Sequence, residues 1–165
     1  MVLTMQHYKY PKIFHFPWSL SKTKDDKTLS AEQIDHLFTG KDVVVTEKLD
    51  GENTTLYSDY LHARSLESKS HPSRTWIKNF HSQIKYSIPE PWRICGENMY
   101  AKHSIYYQNL LSYFYVFSIF NQSNVCISWK DTVKWCEDLH LQNVPVLYEG
   151  KFDIDNYIIP FFIFI

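Results

Sequence analysis

Short runs of β-branched and aromatic residues, separated by turn signals, constrain the fold of this chain more than any other feature. Residues 43–45 are three valines, Asp50 and Gly51 form a turn signal, and β character returns at residues 54–57 and 61–64. This pattern predicts a buried first strand and an antiparallel meander of three short strands. Further strands are expected at residues 92–97, 113–120 and 144–148, the second of them central in its sheet.

Three segments carry the signals of amphipathic helices. Ser30 and Gln33 predict a capping box that opens a helix ending before Gly40. Ser73 predicts the cap of a second helix, and Ser128 predicts the cap of a third. The apolar faces are Trp76, Ile77, Phe80 and Ile84 in the second helix, and Val133, Cys136 and Leu139 in the third. The expected class is α+β, with antiparallel β-sheets flanked by helices.

Length and composition exclude several classes of protein. The chain has 165 residues, enough for one domain with a real core, and 44% hydrophobic content argues against disorder. A net charge of -1 gives no global basic field, which counts against tight autonomous RNA binding but not against a nucleotide pocket. Three scattered cysteines disfavour a disulfide framework or a zinc site, and they indicate an intracellular, by default cytoplasmic, protein.

The two ends of the chain carry no targeting or membrane signal that we recognise. Residues 1–10 lack the apolar segment of a signal peptide. The apolar run at residues 158–165 is shorter than the roughly 20 residues that span a bilayer. We expect one incomplete domain over residues 1–155 and a truncated or altered apolar tail over residues 156–165.

The string EKLDGEN at residues 47–53 carries the strongest chemical signal. It places Lys48 between a predicted strand and a tight turn, where the lysine is held at the edge of a pocket. A lysine amine attacks phosphorus only in its neutral form, which desolvation or a nearby cation favours. The carboxylates of Asp50 and Glu52 fit this chemistry if they hold metal ions that offset the charge of a triphosphate. A charged surface hairpin is the alternative interpretation of this string alone.

Four strings in a fixed order resemble the motifs of the covalent nucleotidyltransferases, which comprise RNA ligases, DNA ligases and mRNA capping enzymes. They are EKLDG (residues 47–51, motif I), ARS (63–65), ICGENMYAKHSI (94–105, motif III of RNA ligases) and FYVFSI (114–119, motif IIIa). Ser118 stands where motif IIIa usually has Asp. The opening strings KYPK (9–12) and HFPWS (15–19) are similar to one RNA-ligase branch, so the resemblance covers residues 8–150.

The resemblance to ATP-dependent RNA ligases implies an activity and a fold. Lys48 would attack the α-phosphate of ATP and form lysyl-AMP, AMP would pass to the 5′-phosphate of RNA, and a 3′-hydroxyl would seal the strand. ATP with Mg²⁺ or Mn²⁺, and RNA with 5′-phosphate and 3′-hydroxyl ends, are the implied cofactors and partner. The implied fold is an ATP-grasp-like nucleotidyltransferase domain of the ligase and capping-enzyme type.

The resemblance also implies which residues bind the nucleotide. A carboxylate suits sugar hydroxyls, an arginine fork suits phosphate, and an aromatic ring stacks on a purine. The implied contacts are Glu47 near the adenine, Asn53 at the phosphate or metal, Arg64 and Glu97 on the ribose and phosphate, and Phe117 stacked on the purine. Each has a structural alternative when taken alone: a solvated strand residue for Arg64, a turn residue for Glu97 and a core residue for Phe117.

The later motifs of the superfamily are not found in this sequence. We find neither the glutamate-containing strand of motif IV nor the lysines of motif V, so we expect the isolated chain to ligate RNA poorly. A non-catalytic nucleotide- or RNA-binding remnant and a DNA ligase or capping-type enzyme are the alternative functions.

Four basic residues form either a patch for RNA phosphates or a solvated helix face: Lys69, Arg74, Lys78 and Lys85.

Overall fold

The computed structural model describes residues 5–19, 22–67, 69 and 71–153. The chain divides into two compact units, Met1–Tyr10 with Thr46–Pro145, and Pro11–Val45 with Val146–Ile165. All the candidate site residues lie in the first unit. The tail predicted for residues 156–165 falls outside the described residues. No described helix has the length and apolar character needed to cross a membrane.

Three helices and seven strands form the regular structure of the described residues. The helices are α1 (Ala31–Phe38), α2 (Thr75–Ile84) and α3 (Trp129–Asp138). The strands are β1 (Asp42–Thr46), β2 (Glu52–Leu56), β3 (Leu61–His62), β4 (Arg93–Asn98), β5 (Phe114–Phe120), β6 (Gln142–Asn143) and β7 (Val146–Lys151). This content confirms the expected α+β class.

The first unit contains a five-stranded sheet with the strand order β3-β2-β4-β5-β6. Neighbouring strands are antiparallel except for the parallel pair β5 and β6. The main core covers one face of this sheet, where Ile77 from α2 and Cys136 from α3 meet strand residues such as Leu56 and Ile94. Burying each aliphatic side chain of this kind contributes about 1.5–3 kcal/mol, so the two helices are held chiefly through these contacts.

A smaller apolar cluster lies beside the candidate site. Its buried members are Leu49, Met99, Tyr115 and Val144, and Tyr107, Leu110, Phe117 and Trp129 pack against it. Because Leu49 comes from the loop between β1 and β2, this second apolar cluster ties the EKLDG string to the sheet.

The second unit contains α1 and the two-stranded sheet formed by β1 and β7. The Ser30 hydroxyl accepts from the Gln33 N–H, and the Gln33 side chain accepts from the Ser30 N–H, which confirms the predicted capping box. Gly40 follows the helix with φ +74°, the left-handed conformation that favours glycine after a helix end. Aromatic rings of Phe38 and Phe152 pack together in this unit.

Several expectations about the strands are wrong. The predicted meander is present only in its second half: β2 pairs antiparallel with β3 as expected, but β1 pairs with β7 rather than with β2 and is half-buried rather than buried. The third strand stops at His62 instead of continuing to residue 64. By contrast, the strand expected to be central is an interior strand: β5 lies between β4 and β6 and is almost entirely buried. The last strand is β7, displaced towards the C-terminus from residues 144–148.

The predicted caps are correct for α3 and wrong for α2. Ser128 caps α3 by accepting from the Asp131 N–H. Ser73 instead lies inside a short 3-10 turn, Pro72–Arg74, and its N–H donates to the His71 side chain. Arg74 is then the residue that precedes α2, and it makes no side-chain cap bond.

Candidate functional site

The loop of residues 47–51 is anchored on both sides of Lys48. The Glu47 N–H donates to the Pro145 carbonyl across 2.8 Å. Leu49 is 5% exposed and belongs to the second apolar cluster. Lys48 itself is exposed. The backbone of the lysine is therefore fixed by its neighbours while its side chain remains accessible to a ligand.

A segment that is distant in sequence holds Asp50. Its Oδ2 accepts from the Ser104 N–H at 2.8 Å, from the Ser104 hydroxyl, and from the Ile105 N–H at 2.9 Å. The Asp50 N–H donates to the Tyr107 hydroxyl oxygen at 3.1 Å. The Ser104 hydroxyl bond, followed by the Ile105 N–H bond, holds the pKa of Asp50 below its ordinary value. Asp50 thus anchors the second half of the loop as an ionised acceptor.

Gly51 brings the loop against the end of β4. Its N–H donates to Oε1 of Glu97 at 3.0 Å. A Cβ at this position would lie 2.6 Å from the Asn98 carbonyl oxygen and 2.7 Å from the Met99 sulfur, so the close approach requires glycine. Burial raises the pKa of the half-buried Glu97, and this outweighs the lowering by the Gly51 N–H and by the charge of Lys48. The charge of Lys48 therefore acts on the carboxyl group of Glu97.

The predicted metal ligands Asp50 and Glu52 already have protein partners. Arg74 forms a two-point ion pair with Glu52, in which its Nε lies 2.8 Å from Oε2, and the hydrogen bond to Glu52 raises the pKa of Arg74. Within the described ranges, no three His, Cys, Asp or Glu side chains form a group that could hold a metal ion. The described protein side chains therefore do not form a complete metal site by themselves. The metal role of Asp50 and Glu52 stays a prediction.

The predicted nucleotide contacts on the sheet are partly brought together. Asn53 on β2 and Glu97 on β4 are register partners, and Glu97 is in turn paired with Tyr115 on β5. Cross-strand partners share a face, so this row faces the second apolar cluster that contains Tyr115. Oδ1 of Asn53 is buried and has no hydrogen-bond partner among the described residues. A buried acceptor without a hydrogen-bond donor destabilises the fold, typically by about 1–3 kcal/mol. A ligand that donates a hydrogen bond to this oxygen would remove that cost.

The remaining predicted contacts differ in their surroundings. Phe117 is half-buried against the second apolar cluster, and the Tyr10 ring stands edge-on to it at 5.0 Å and 79°. Glu47 is half-buried and raises the pKa of Tyr107, after the larger effect of burial. Arg64 is exposed just after β3 and makes no side-chain hydrogen bond or ion pair with another described residue. Arg64 is therefore the one predicted contact that no interaction in the described part of the chain ties to this group.

Three residues of the site were not predicted to contact the 47–53 segment, although Arg74 was expected in a possible basic patch. Ser104 and Tyr107 hold Asp50, and Arg74 pairs with Glu52. Ser104 lies in the string that resembles motif III, so its position was marked but its partner was not. The contacts span 54 and 57 residues, and no local spacing in the sequence indicates them.

A family model and solved structures were both matched by this chain. The family model described as RNA ligase matches residues 41–158, which is more than half of the chain. No curated protein sequence gives a significant match. Solved structures with a similar fold include two mutants of the RNA ligase of Naegleria gruberi, each with ATP and Mn. An archaeal ATP-dependent RNA ligase is also matched, at a lower score.

The similarity to these structures concerns the fold. The two Naegleria gruberi structures have TM-scores of 0.54 and 0.55 at 18% and 17% identity, and they are matched over 72% and 74% of this chain. The archaeal structure has a TM-score of 0.49 at 18% identity, with 72% of this chain and 35% of that chain covered. The chain spans 39% and 41% of the length of the two Naegleria gruberi proteins.

Proposed function

The chain belongs to the RNA ligase family, and from that premise we propose that it is the adenylyltransferase part of an ATP-dependent RNA ligase, with Lys48 as the AMP acceptor. The observation that carries the proposal is the anchored 47–51 loop. It presents an accessible lysine on a fixed backbone, near the half-buried carboxylate of Glu97. A positioned nucleophile gains reactivity because the entropy of orientation is lost before the reaction begins.

The first proposed step forms lysyl-AMP. Nζ of Lys48, as a neutral amine, attacks the α-phosphorus of ATP. A phosphorus–nitrogen bond forms, the bond from the α-phosphorus to its bridging oxygen breaks, and pyrophosphate leaves with that electron pair. The proton of the amine passes to solvent. The hydrogen bonds that Asp50 and Gly51 make with neighbouring segments hold the backbone next to Lys48 during this step.

The nucleotide-binding roles follow the row of side chains on β2, β4 and β5. The Glu97 carboxylate suits the ribose hydroxyls, and the unfilled acceptor of Asn53 suits a hydroxyl donor or a hydrated cation carried by the phosphates. Phe117 offers a ring for the purine, an interaction of about 1–3 kcal/mol per base by analogy with base–aromatic stacking. Glu47 is proposed to lie near the adenine, and Arg64 to reach the phosphate from the end of β3.

The later steps and the metal belong to the same proposal. AMP passes from the lysine to the 5′-phosphate of RNA, and a 3′-hydroxyl then attacks that phosphate, forms the phosphodiester and releases AMP. A divalent cation, Mg²⁺ or Mn²⁺, is proposed to accompany the triphosphate as part of the substrate and to supply charge neutralisation. Asp50 and Glu52 are engaged with protein partners, so no step here depends on them as ligands.

The test is incorporation of label from ATP. The purified chain is incubated with divalent metal and α-labelled ATP, γ-labelled ATP or α-labelled GTP, and acid-stable label on the protein is measured. We expect label only from α-labelled ATP, its loss in Lys48→Ala, and its retention in Lys130→Ala, an exposed lysine on α3. Label from GTP would favour a capping-type enzyme, and ATP binding without label would favour the non-catalytic remnant.

A further inference from the structure

Three aromatic side chains that the proposed reaction does not use form a three-sided group, the aromatic box (Trp76, Tyr100 and Tyr113). The rings of Trp76 and Tyr100 are nearly parallel, 13° apart, with centroids separated by 6.5 Å. The ring of Tyr113 is perpendicular to both, at 81° and 89°, with centroids 5.4 Å from each. We call Trp76 and Tyr100 the walls of the box, because their rings are nearly parallel. Tyr113 is its floor, because its ring contacts both walls.

The separation of the two walls suits a planar ring system. Stacked bases in a strand repeat about every 3.4 Å, so a base held between two rings needs a separation of about 7 Å. The ring centroids of Trp76 and Tyr100 lie 6.5 Å apart, which is the upper limit of the gap between the two planes, so a base enters between the rings when they separate by a few tenths of an ångström or more. Tyr100 is 47% exposed and Tyr113 is 42% exposed, so a ligand has access to the box from solvent.

The box is held in position by the fold rather than by its own contacts. Trp76 stacks on Phe80 at 5.0 Å and 12°, and both rings pack against the main core. The Met99 N–H donates to the Tyr113 carbonyl at 2.8 Å, which fixes the backbones on either side of the floor. Aromatic side chains with few rotatable bonds on a fixed backbone lose little entropy when they bind.

The box also adjoins the loop that carries Lys48. Tyr100 directly follows Met99, whose sulfur, like the Asn98 carbonyl, lies against Gly51. On the other side, Arg74 pairs with Glu52 immediately before α2 begins. Both walls of the box are thus connected through short contacts to the residues that follow the nucleophile.

We propose that the aromatic box stacks a nucleobase of the RNA substrate, at or next to the end that is joined. This inference rests on the proposed function, because RNA is the occupant that an RNA ligase brings to this edge of the site. Charge supports the choice, since Lys102 is an exposed lysine two residues after Tyr100 and suits a flanking phosphate. Stacking is tolerant of sequence, so the box would position RNA ends without selecting their bases.

The experiment compares RNA with and without bases. Equilibrium binding is measured for a short 5′-phosphorylated RNA and for the same RNA with abasic nucleotides at both of its ends. We expect the unaltered chain to prefer the complete RNA by about tenfold, which is the ratio that about 1.4 kcal/mol gives. Tyr100→Ala and Tyr113→Ala should bind both RNAs with equal, weaker affinity, whereas Tyr100→Phe keeps the preference because it keeps the ring.

Controls separate this inference from misfolding and from the proposed function. Tyr86→Ala removes a ring that is 86% exposed and outside the box, and it should keep the full preference. Thermal unfolding of each variant shows whether it folds. The inference is overturned if the unaltered chain binds the complete and the abasic RNA equally well. It is also overturned if Tyr100→Ala and Tyr113→Ala keep the preference for the complete RNA. Lysyl-AMP formation, measured separately on the unaltered chain, tests the proposed function, and its failure leaves the RNA comparison intact.

Discussion

Replacement of Gly51 by alanine tests whether the anchored loop sets the reactivity of Lys48. The new Cβ would lie 2.6 Å from the Asn98 carbonyl oxygen, and essentially no real Cβ comes closer to another atom than 3.0 Å. The loop and β4 must therefore separate by at least 0.4 Å, the difference between 3.0 and 2.6 Å. A displacement of about 1 Å at a reacting centre can cost roughly 100-fold, so we expect lysyl-AMP formation to slow by about tenfold or more.

The assay is the single-turnover rate of label transfer from α-labelled ATP, together with urea unfolding. Gly51→Ala should also lose about 1–3 kcal/mol of stability, as overpacked positions do. Gly40→Ala is the matched control, because its φ of +74° makes alanine unfavourable by about 1–2 kcal/mol while nothing lies within 4 Å of the new Cβ. Gly40→Ala should keep the rate. A Gly51→Ala protein that transfers label as fast as the unaltered chain would refute the link between loop position and reactivity.

Four further substitutions have expected outcomes. Burial raises the pKa of Glu97, so its ionisation destabilises the folded state as pH rises above about 4.5. Glu97→Gln should therefore melt at a higher temperature at pH 7, and it should bind ATP more weakly. Burial lowers the pKa of His81, so stability is fully present above about pH 6.5 and falls as pH falls further. His81→Gln, which can still donate to the Tyr57 carbonyl, should flatten that slope in melts between pH 8 and 5. Arg74→Ala should lose about 1–3 kcal/mol in urea unfolding, and Glu52→Gln should recover part of the loss in the double variant.

The elements that were predicted correctly are those whose signals are local. The capping box of Ser30 with Gln33, and the cap of Ser128 on α3, satisfy backbone groups within one turn of chain, so their residues can be recognised without the rest of the fold. The cap of α2 is the informative exception. His71 provides an acceptor for the Ser73 N–H, and Pro72 starts a 3-10 turn, so the chain enters α2 by a different local route.

The sequence predicted the local pairing of β2 with β3, but it could not predict the partner of β1, because that pairing is decided by contacts between distant residues. β1 has the composition of a strand that continues into β2, but its partner is β7, near the other end of the described chain. The same limit applies to the site. The order of the strings pointed to Lys48, Asn53 and Glu97, and the structure places the last two in register, whereas the bonds from Ser104 to Asp50 arise only when the chain folds.

The most direct test of the central claim is to identify the residue that carries AMP. The chain is incubated with ATP and Mn²⁺, digested under conditions that keep a phosphoramidate, and the modified peptide is mapped by mass spectrometry. We predict AMP on Lys48 and on no other lysine, with none on any peptide of Lys48→Ala. AMP on a different lysine, or undiminished modification of the Lys48→Ala chain, would contradict the account.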